Sequence, residues 1–350
     1  MTQALALAGH LREAGHEIVH ALVGTSPFRT TPEYFVNQIG APIESFAAPT
    51  QVPDRAGRGV SIARSAGDAM RRLPRFVRSG HRIHRVTQGA DVVVNFMDLV
   101  GGLSRLVFRT KAPCVAVAHN YVFRHPALTG VPGRSWVRSI VMGYVRATAL
   151  RASSRVALSF DPLPETGRLV IAPPLLRPGL DDRTPRDEGY LLAYALNAGY
   201  GDLLAEWHRN RRDVTVHCYV DGGARALATE PAAGFHAHGL DQEGFLRHLE
   251  GCHAYVGTAG FESICEAWYL GKPALVIPTE GQYEQTLNAW DALRVGAARP
   301  GAYEDLDTFW SELPVPEPAR VEAFRSWVRR APEILVREVE RAAMSGRAQA

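Results

Sequence analysis

The chemically capable residues of this chain concentrate in one segment, His253 to Ala297: HAYVGTAGFESICEAWYLGKPALVIPTEGQYEQTLNAWDALRVGA. A short apolar run ends at Val256. Gly257, Thr258, Ala259 and Gly260 then turn the chain into a helical pattern that opens with Phe261, Glu262 and Ser263. Small residues let a ligand approach the backbone closely, and a helix start carries unpaired N–H groups with positive partial charge. Such a turn can hold a diphosphate without lysine. Glu266 lies six residues past Gly260, about 9 Å along a helix axis. A carboxylate there can accept hydrogen bonds from ribose hydroxyls. Gly271-Lys272-Pro273 leads into a further apolar run, and beyond it Gln282, Glu284, Gln285 and Asn288 gather around the next helix start. Their amides and carboxylate can hydrogen-bond a sugar's hydroxyls. A Gly-rich turn alone reads as a tight connection, and Glu266 alone as a solvated helix residue. The combination in one ordered segment is much more specific.

Other residues are weaker candidates. Asn95, Asp98, His119 and Asn120 lie at the C-terminal ends of predicted strands, where α/β sheets place ligands. Asp98 or His119 could serve as a general base or orient one; the plainer reading is a loop residue that caps or bonds locally. His236-Ala-His238 puts two imidazoles on one side of an extended strand. No cysteine, aspartate or third histidine stands at metal-ligand spacing, so no metal site is expected. The turn at Gly260 is not a P-loop, because the GK[ST] ending is absent. No cofactor is implied.

The chain that must position these groups has 350 residues, net charge +3, 46% hydrophobic and 21% charged residues. Its length suggests two domains, and its apolar content excludes disorder as the main state. Four cysteines without a CxxC pair fit a reduced cytoplasm. The basic excess is too small to imply nucleic acid. Only Lys111 and Lys272 are lysines among 39 basic residues. Residues 64–85 hold seven arginines with His81 and His84 against one acid, Asp68. An Arg-rich helix of this kind can lie on anionic lipid headgroups or form a solvated basic face. No apolar run approaches the roughly 20 residues of a membrane span; Val92–Phe108 is interrupted by Asp98 and Arg105. The opening MTQALALAGHLREAGHE lacks the pattern of a signal peptide. A cytoplasmic location is expected, with membrane association through the basic helix.

Helix and strand patterns alternate. A helix capped by Thr2 and stopped by Gly15 precedes a strand at Ile18–Val23. A helix over residues 60–88 must bend or break at Pro74. Strands follow at Asp91–Phe96, Val115–Ala118 and Arg155–Phe160, with a helix over 134–151. Arg168–Gly189, with four prolines, reads as a crossover. Four further strands (Tyr190–Leu196, Val214–Val220, His253–Val256, Ala274–Ile277) alternate with helices, and a helical tail closes the chain. The expected fold class is α/β, two Rossmann-like domains facing across a cleft. The expected boundaries are 1–176 for an acceptor domain, 177–188 for a linker, 189–325 for a nucleotide-sugar domain and 326–350 for the tail.

TAGFESICEAWYLGKPALVIPTEGQYEQTLNA resembles the donor-binding half of GT-B glycosyltransferases, in the branch of bacterial UDP-sugar transferases that modify lipids and peptidoglycan precursors. The resemblance implies that Gly260 and its turn, Thr258 to Phe261, hold the nucleotide diphosphate, with Glu262 and Ser263 beside it in the donor site. It implies that Glu266 holds ribose, and that Glu284 and Gln285 contact the donor sugar. The family's common His beside the turn is here Thr258. GYLLAYALNAGYGD and IAPPLLRP resemble the family's nucleotide-domain entry and crossover. The implied activity is metal-independent sugar transfer from a nucleotide-diphosphate sugar, UDP-linked, to an acceptor hydroxyl on a lipid or glycan. A sugar-nucleotide 2-epimerase on the same fold and a non-catalytic binding remnant are the rivals. Asp305-Leu-Asp307 imitates the acidic pair of GT-A enzymes but reads as helix-start charge. Related chains open with a strand and a Gly-rich turn before a helix like TQALALA. The first domain is thus expected to lack its first strand, between Ile18–Val23 and Asp91–Phe96. The 350-residue form is expected to be poorly stable and inactive, with an upstream extension restoring both.

Overall fold

The structure is a computed structural model that describes residues 1–27, 30–52, 61–108, 110–167, 169–195 and 197–347. Val60, Arg168 and Leu196, expected ends of elements, lie outside the described residues. The chain divides into two compact units. One comprises Met1–Val52, Ser61–Arg177 and the residues from Trp327 onward; the other runs from Pro178 to Ser326.

The first unit contains α1 (Thr2–Glu13), β1 (Ala21–Thr25), α2 (Glu33–Gln38), β2 (Ile43–Ala47), α3 (Ile62–Val86), β3 (Val93–Asn95), α4 (Leu99–Val107), β4 (Cys114–Ala118), α5 (Ser135–Thr148), β5 (Ser154–Leu158) and β6 (Leu169–Ala172). Parallel strands β3-β4-β5-β6 form one sheet around β4, whose five residues are all buried. Parallel β1 and β2 form a separate pair. Among the described residues β1 and β3 share no ladder, and a cavity is lined by Val23 and Gly24 on one side and by Val93, Val94 and Asn95 on the other. Met1, before α1, and Ala4 of α1 also line it. Among the described residues no strand stands between β1 and β3.

Several expectations are corrected. Met1, not Thr2, occupies the N-cap of α1; Thr2 is already helical and buried. Gly15 does end the helix, at φ +86°. Strand β1 begins at Ala21 rather than Ile18, because its register is set by β2, Ala21 opposite Ile43. The helix α3 runs through Pro74 unbroken. Leu169–Ala172, expected within the crossover, is instead a strand paired with β5. The apolar run completes the first sheet before Pro173 and Pro174 end it.

The second unit contains β7 (Leu191–Ala195), α6 (Ala198–Asn210), β8 (Val216–Val220), β9 (Phe235–His238), α7 (Gln242–Gly251), β10 (Ala254–Thr258), α8 (Phe261–Tyr269), β11 (Ala274–Ile277), α9 (Tyr283–Val295), β12 (Arg299–Pro300) and α10 (Leu306–Ser311). Its six parallel strands are ordered β12-β11-β10-β7-β8-β9. The central strands are near-continuous apolar runs, as a sheet covered on both faces requires. α11 (Pro318–Val328) carries the chain between the units. α12 (Ala331–Arg347) packs on the first unit, against α1 and strands β4 to β6. His16 Nε2 lies 2.9 Å from Glu340 Oε1 there, and Trp327 Nε1 donates to the Ser159 carbonyl at 3.0 Å.

Candidate active site

In the second sheet the strand order reverses between β10 and β7. The connections leaving these two strands diverge there, and such a switch point at the C-terminal strand ends is where open α/β sheets bind ligands. The connection after β10 is the Gly-rich turn. Strand β10 extends to Thr258, two residues beyond the expected Val256, so Gly257 belongs to the strand and the turn proper is Ala259-Gly260. Gly257 is glycine for packing: a Cβ there would overlap the Tyr255 hydroxyl. Gly260 differs. A Cβ at that position would meet only Ser263 Oγ, at 3.6 Å, and the Thr258 carbonyl, at 4.0 Å.

Gly260 is the N-cap of α8 and brings no side chain to the first N–H groups of that helix. Those groups have no acceptor within a helix and carry positive partial charge. Ser263 Oγ turns back to donate to the Gly260 carbonyl at 3.1 Å. Asn288 Nδ2 donates to the Ala259 carbonyl at 2.9 Å, which ties the turn to α9. Gln285 accepts at Oε1 from the Thr279 N–H and donates from Nε2 to Gln282 Oε1, both at 2.8 Å. The Glu280 N–H donates to the Tyr200 hydroxyl at 3.2 Å, so α6, after β7, is tied to the β11–α9 connection.

The structure therefore brings Thr258, Ala259, Gly260, Phe261, Glu262 and Ser263 together with Gln282, Gln285 and Asn288. Glu262, Ser263, Gln282 and Glu284 are partly exposed, while Thr258, Ala259, Phe261, Gln285 and Asn288 are buried. Glu266 is fully buried within α8. Lys272 plays no part in this group: its ammonium donates to the Cys252 carbonyl at 2.8 Å and to the Arg186 carbonyl. Burial lowers its pKa. Tyr200 and Thr279 were missed from sequence: Tyr200 reaches the β11–α9 connection from α6, 80 residues away, and Thr279, within that connection, is held by Gln285.

In the first unit, Asp98 is the N-cap of α4 and accepts from the Gly101 N–H at 2.6 Å. Asn95 clasps the same turn: its Oδ1 accepts from the Asp98 N–H at 2.8 Å, and its Nδ2 donates to the Asp98 carbonyl at 3.0 Å and the Thr148 carbonyl at 2.8 Å. Met97, between them, has φ +54°. A non-glycine residue in that region stores about 1–3 kcal/mol and marks an over-determined segment. The clasp also explains why β3 stops at Asn95 rather than Phe96. The other Asp98 oxygen faces Gly24 of β1, where a Cβ would come within 3.2 Å of it. Burial raises the Asp98 pKa, opposed by hydrogen bonds from the Gly101 and Val100 N–H groups. Asp98 lines the cavity between β1 and β3 with Thr25 and Ser26.

His119 is placed differently. It is 4% exposed, with Nδ1 2.7 Å from the Leu158 carbonyl and its ring edge-on to Phe123 and Phe160. It is not among the residues lining the cavity. Asn120 is buried beside it.

Comparison with known proteins agrees with this geometry. No curated protein sequence matches the chain. Solved structures with a similar fold include Arabidopsis thaliana UGT89C1, with a TM-score of 0.64 and 13% identity over 98% of this chain and 96% of that one. The glycosyltransferase SnogD from Streptomyces nogalater has a TM-score of 0.56 and 18% identity over 99% and 96%. Acinetobacter baumannii MurG has a TM-score of 0.53 and 16% identity over 97% and 95%. The sequence profile of glycosyl transferase family 1 matches residues 75–314, well over half of the chain. The chain therefore belongs to glycosyl transferase family 1, and its two Rossmann-like units are those of a GT-B glycosyltransferase.

Proposed function

We propose that this glycosyltransferase takes its sugar from a UDP-linked donor seated on the second unit, and that Asp98 of the first unit is the base for the acceptor hydroxyl. The observation that carries the donor assignment is the side-chain-free N-cap at Gly260, placed at the switch point and tied down by Asn288. UGT89C1, one of the similar folds, has been crystallised with UDP. Sugar transfer breaks the bond from the anomeric carbon to the diphosphate oxygen and forms one to the acceptor oxygen. The proton of the acceptor hydroxyl passes to a base, and UDP leaves with an added negative charge. N–H groups at the start of α8 are aimed to stabilise that charge, and they need no rearrangement to do so. Asp98 suits the base role because burial moves its carboxylate upward, toward neutral pH. His119 holds β4 to β5 instead.

On this reading Glu266 accepts from the ribose hydroxyls, and Gln285 with Glu284 reads the sugar. Gln285→Ala should leave UDP affinity unchanged and weaken UDP-sugar binding about 5- to 10-fold, the loss of roughly one hydrogen bond. Isothermal titration with UDP and with a UDP-sugar checks this; equal losses for both would contradict the division. Transfer is tested by supplying UDP-sugar with and without acceptor. Consumption of donor without acceptor, to give an epimerised sugar, would favour the epimerase reading.

The acceptor we propose is a lipid-linked or glycan hydroxyl met at an anionic membrane surface. The support is α3, where exposed Met70, Leu73 and Val77 recur at helical spacing among exposed Arg71, Arg75 and Arg78. Exposed Trp136 and Ile140 stand on α5. No helix of the described residues is long and apolar enough to cross a membrane, so attachment would be peripheral. Vesicle flotation should recover the protein with anionic but not zwitterionic lipid, and salt should release it. Replacing Leu73 and Val77 together by aspartate should cut recovery several-fold. Equal recovery on both lipids, or no effect of the double change, would contradict this docking.

A further inference from the structure

The sequence spacing around His236-Ala-His238 does not reveal what the fold brings beside it. No third histidine stands at metal-ligand spacing in the sequence, but the fold supplies two more imidazoles from elsewhere. His217 of β8, His238 of β9 and His248 of α7 converge, and one ring nitrogen from each lies within 4.8 Å of the others. His217 Nδ1 is 2.9 Å from His238 Nε2. The cluster is held on three elements of one unit. In the β8–β9 ladder His217 stands opposite His236 and Tyr219 opposite His238, so these side chains share one face at the edge of the sheet. α7 lays His248 over that face, with its ring 4.1 Å from that of His217 and 5.0 Å from that of His238.

We infer that His217, His238 and His248 form a binding site for one divalent d-block cation of the imidazole-preferring class, zinc above all, unrelated to the donor site.

Three physical features support the assignment. The first is spacing. Zinc takes imidazole nitrogens at about 2.0–2.1 Å in a tetrahedron, which sets neighbouring nitrogens about 3.3 Å apart. Ligand atoms already within 4.8 Å reach that by small ring rotations, and partial exposure of all three residues leaves the fourth position to water. The second is protonation. Burial, with the neighbouring His248, His238 and His236, pushes His217 down to about 4. Burial also holds His238 and His248 below the ordinary imidazole value, with Asp241 opposing this at His238 and Glu188 at His248. Neutral rings offer the lone pairs that a cation needs. The third is the outer partner. The Tyr219 hydroxyl lies 2.8 Å from His248 Nδ1. With a metal on Nε2, Nδ1 donates to that hydroxyl, the arrangement that fixes the tautomer of a ligating histidine. Tyr219 is thus a positioning residue. Bound metal would pin the edge strand β9 to α7 and β8.

The test uses the full chain, stripped with chelator and titrated with zinc chloride alone. One equivalent of zinc should bind, and cobalt in its place should give the intense visible bands of a four-coordinate site. Saturating zinc at about 100 times Kd should raise the Tm by about 5–10 °C. His238→Ala and His248→Ala should each weaken zinc at least tenfold and abolish the cobalt spectrum. Tyr219→Phe should weaken zinc about tenfold while keeping the spectrum. His236→Ala, outside the triad, should bind zinc like the native chain. Circular dichroism and UDP titration check that the variants are folded, independently of the metal. Absence of saturable zinc binding and of a cobalt spectrum in the native chain would overturn the site. So would native affinity in folded His238→Ala and His248→Ala chains, or a loss in His236→Ala as large as theirs.

Discussion

Replacing Gly260 by valine will remove UDP binding and leave the second unit folded. The two halves of this expectation rest on different observations. The fold tolerates the change because a Cβ at Gly260 meets nothing closer than 3.6 Å and the backbone there has φ −76°, which any L-residue adopts. UDP binding should not tolerate it, because a branched side chain would stand over the N–H groups proposed to hold the diphosphate. Each hydrogen bond to a charged group is worth about 1.5–3 kcal/mol, so losing two costs UDP about 100-fold or more in affinity. Gly257 is a poor choice for the same experiment, since a Cβ would strike Tyr255 and disturb β10 itself. Isothermal titration with UDP beside a thermal melt reads both halves. A folded Gly260→Val chain with native UDP affinity would remove the diphosphate from this turn.

Asp98→Asn is expected to lower kcat by about 10²- to 10⁴-fold, the usual worth of a general base, with UDP affinity unchanged. Asparagine is the right probe because it separates the cap that Asp98 forms from the base role proposed for it. As the cap of α4 its Oδ1 accepts from Gly101, and asparagine caps about as well as aspartate. As a base it must take a proton, which the amide cannot. Burial raises the carboxylate pKa, so the base is lost to protonation as pH falls through a value above the ordinary carboxylate range. The acid limb of kcat/KM should lie correspondingly high in the native chain. Native turnover in Asp98→Asn would assign the base elsewhere.

What could be read from the sequence was local chemistry. The turn at Gly260 and the polar group around Gln285 were legible because each is written in consecutive residues between an apolar strand and a helix. Long-range partners were not. Strand β2 is five residues, IESFA, too short for a clear alternation, and its pairing with β1 makes it a strand. α4 was hidden by Gly101-Gly102, which argue against a helix. Gly102 is there because a Cβ would run into the Ala147 and Thr148 backbone where α4 crosses α5. The setting of Asp98 was half visible: the cap is a local pattern, whereas the approach of Gly24 and the strained Met97 are products of packing. The histidine triad is the extreme case, because its members lie 21 and 10 residues apart and meet only when β8, β9 and α7 assemble.

The proposed donor site places a nucleoside diphosphate at the start of α8 in the second unit. Amide hydrogen exchange in the native chain with and without UDP tests it most directly, because it locates the ligand without relying on any substitution. UDP should slow exchange over Thr258–Ser263 and over Gln282–Asn288, and leave Val216–His238 unchanged. Saturating UDP that protects neither segment, or that protects a different part of the unit instead, would contradict the account.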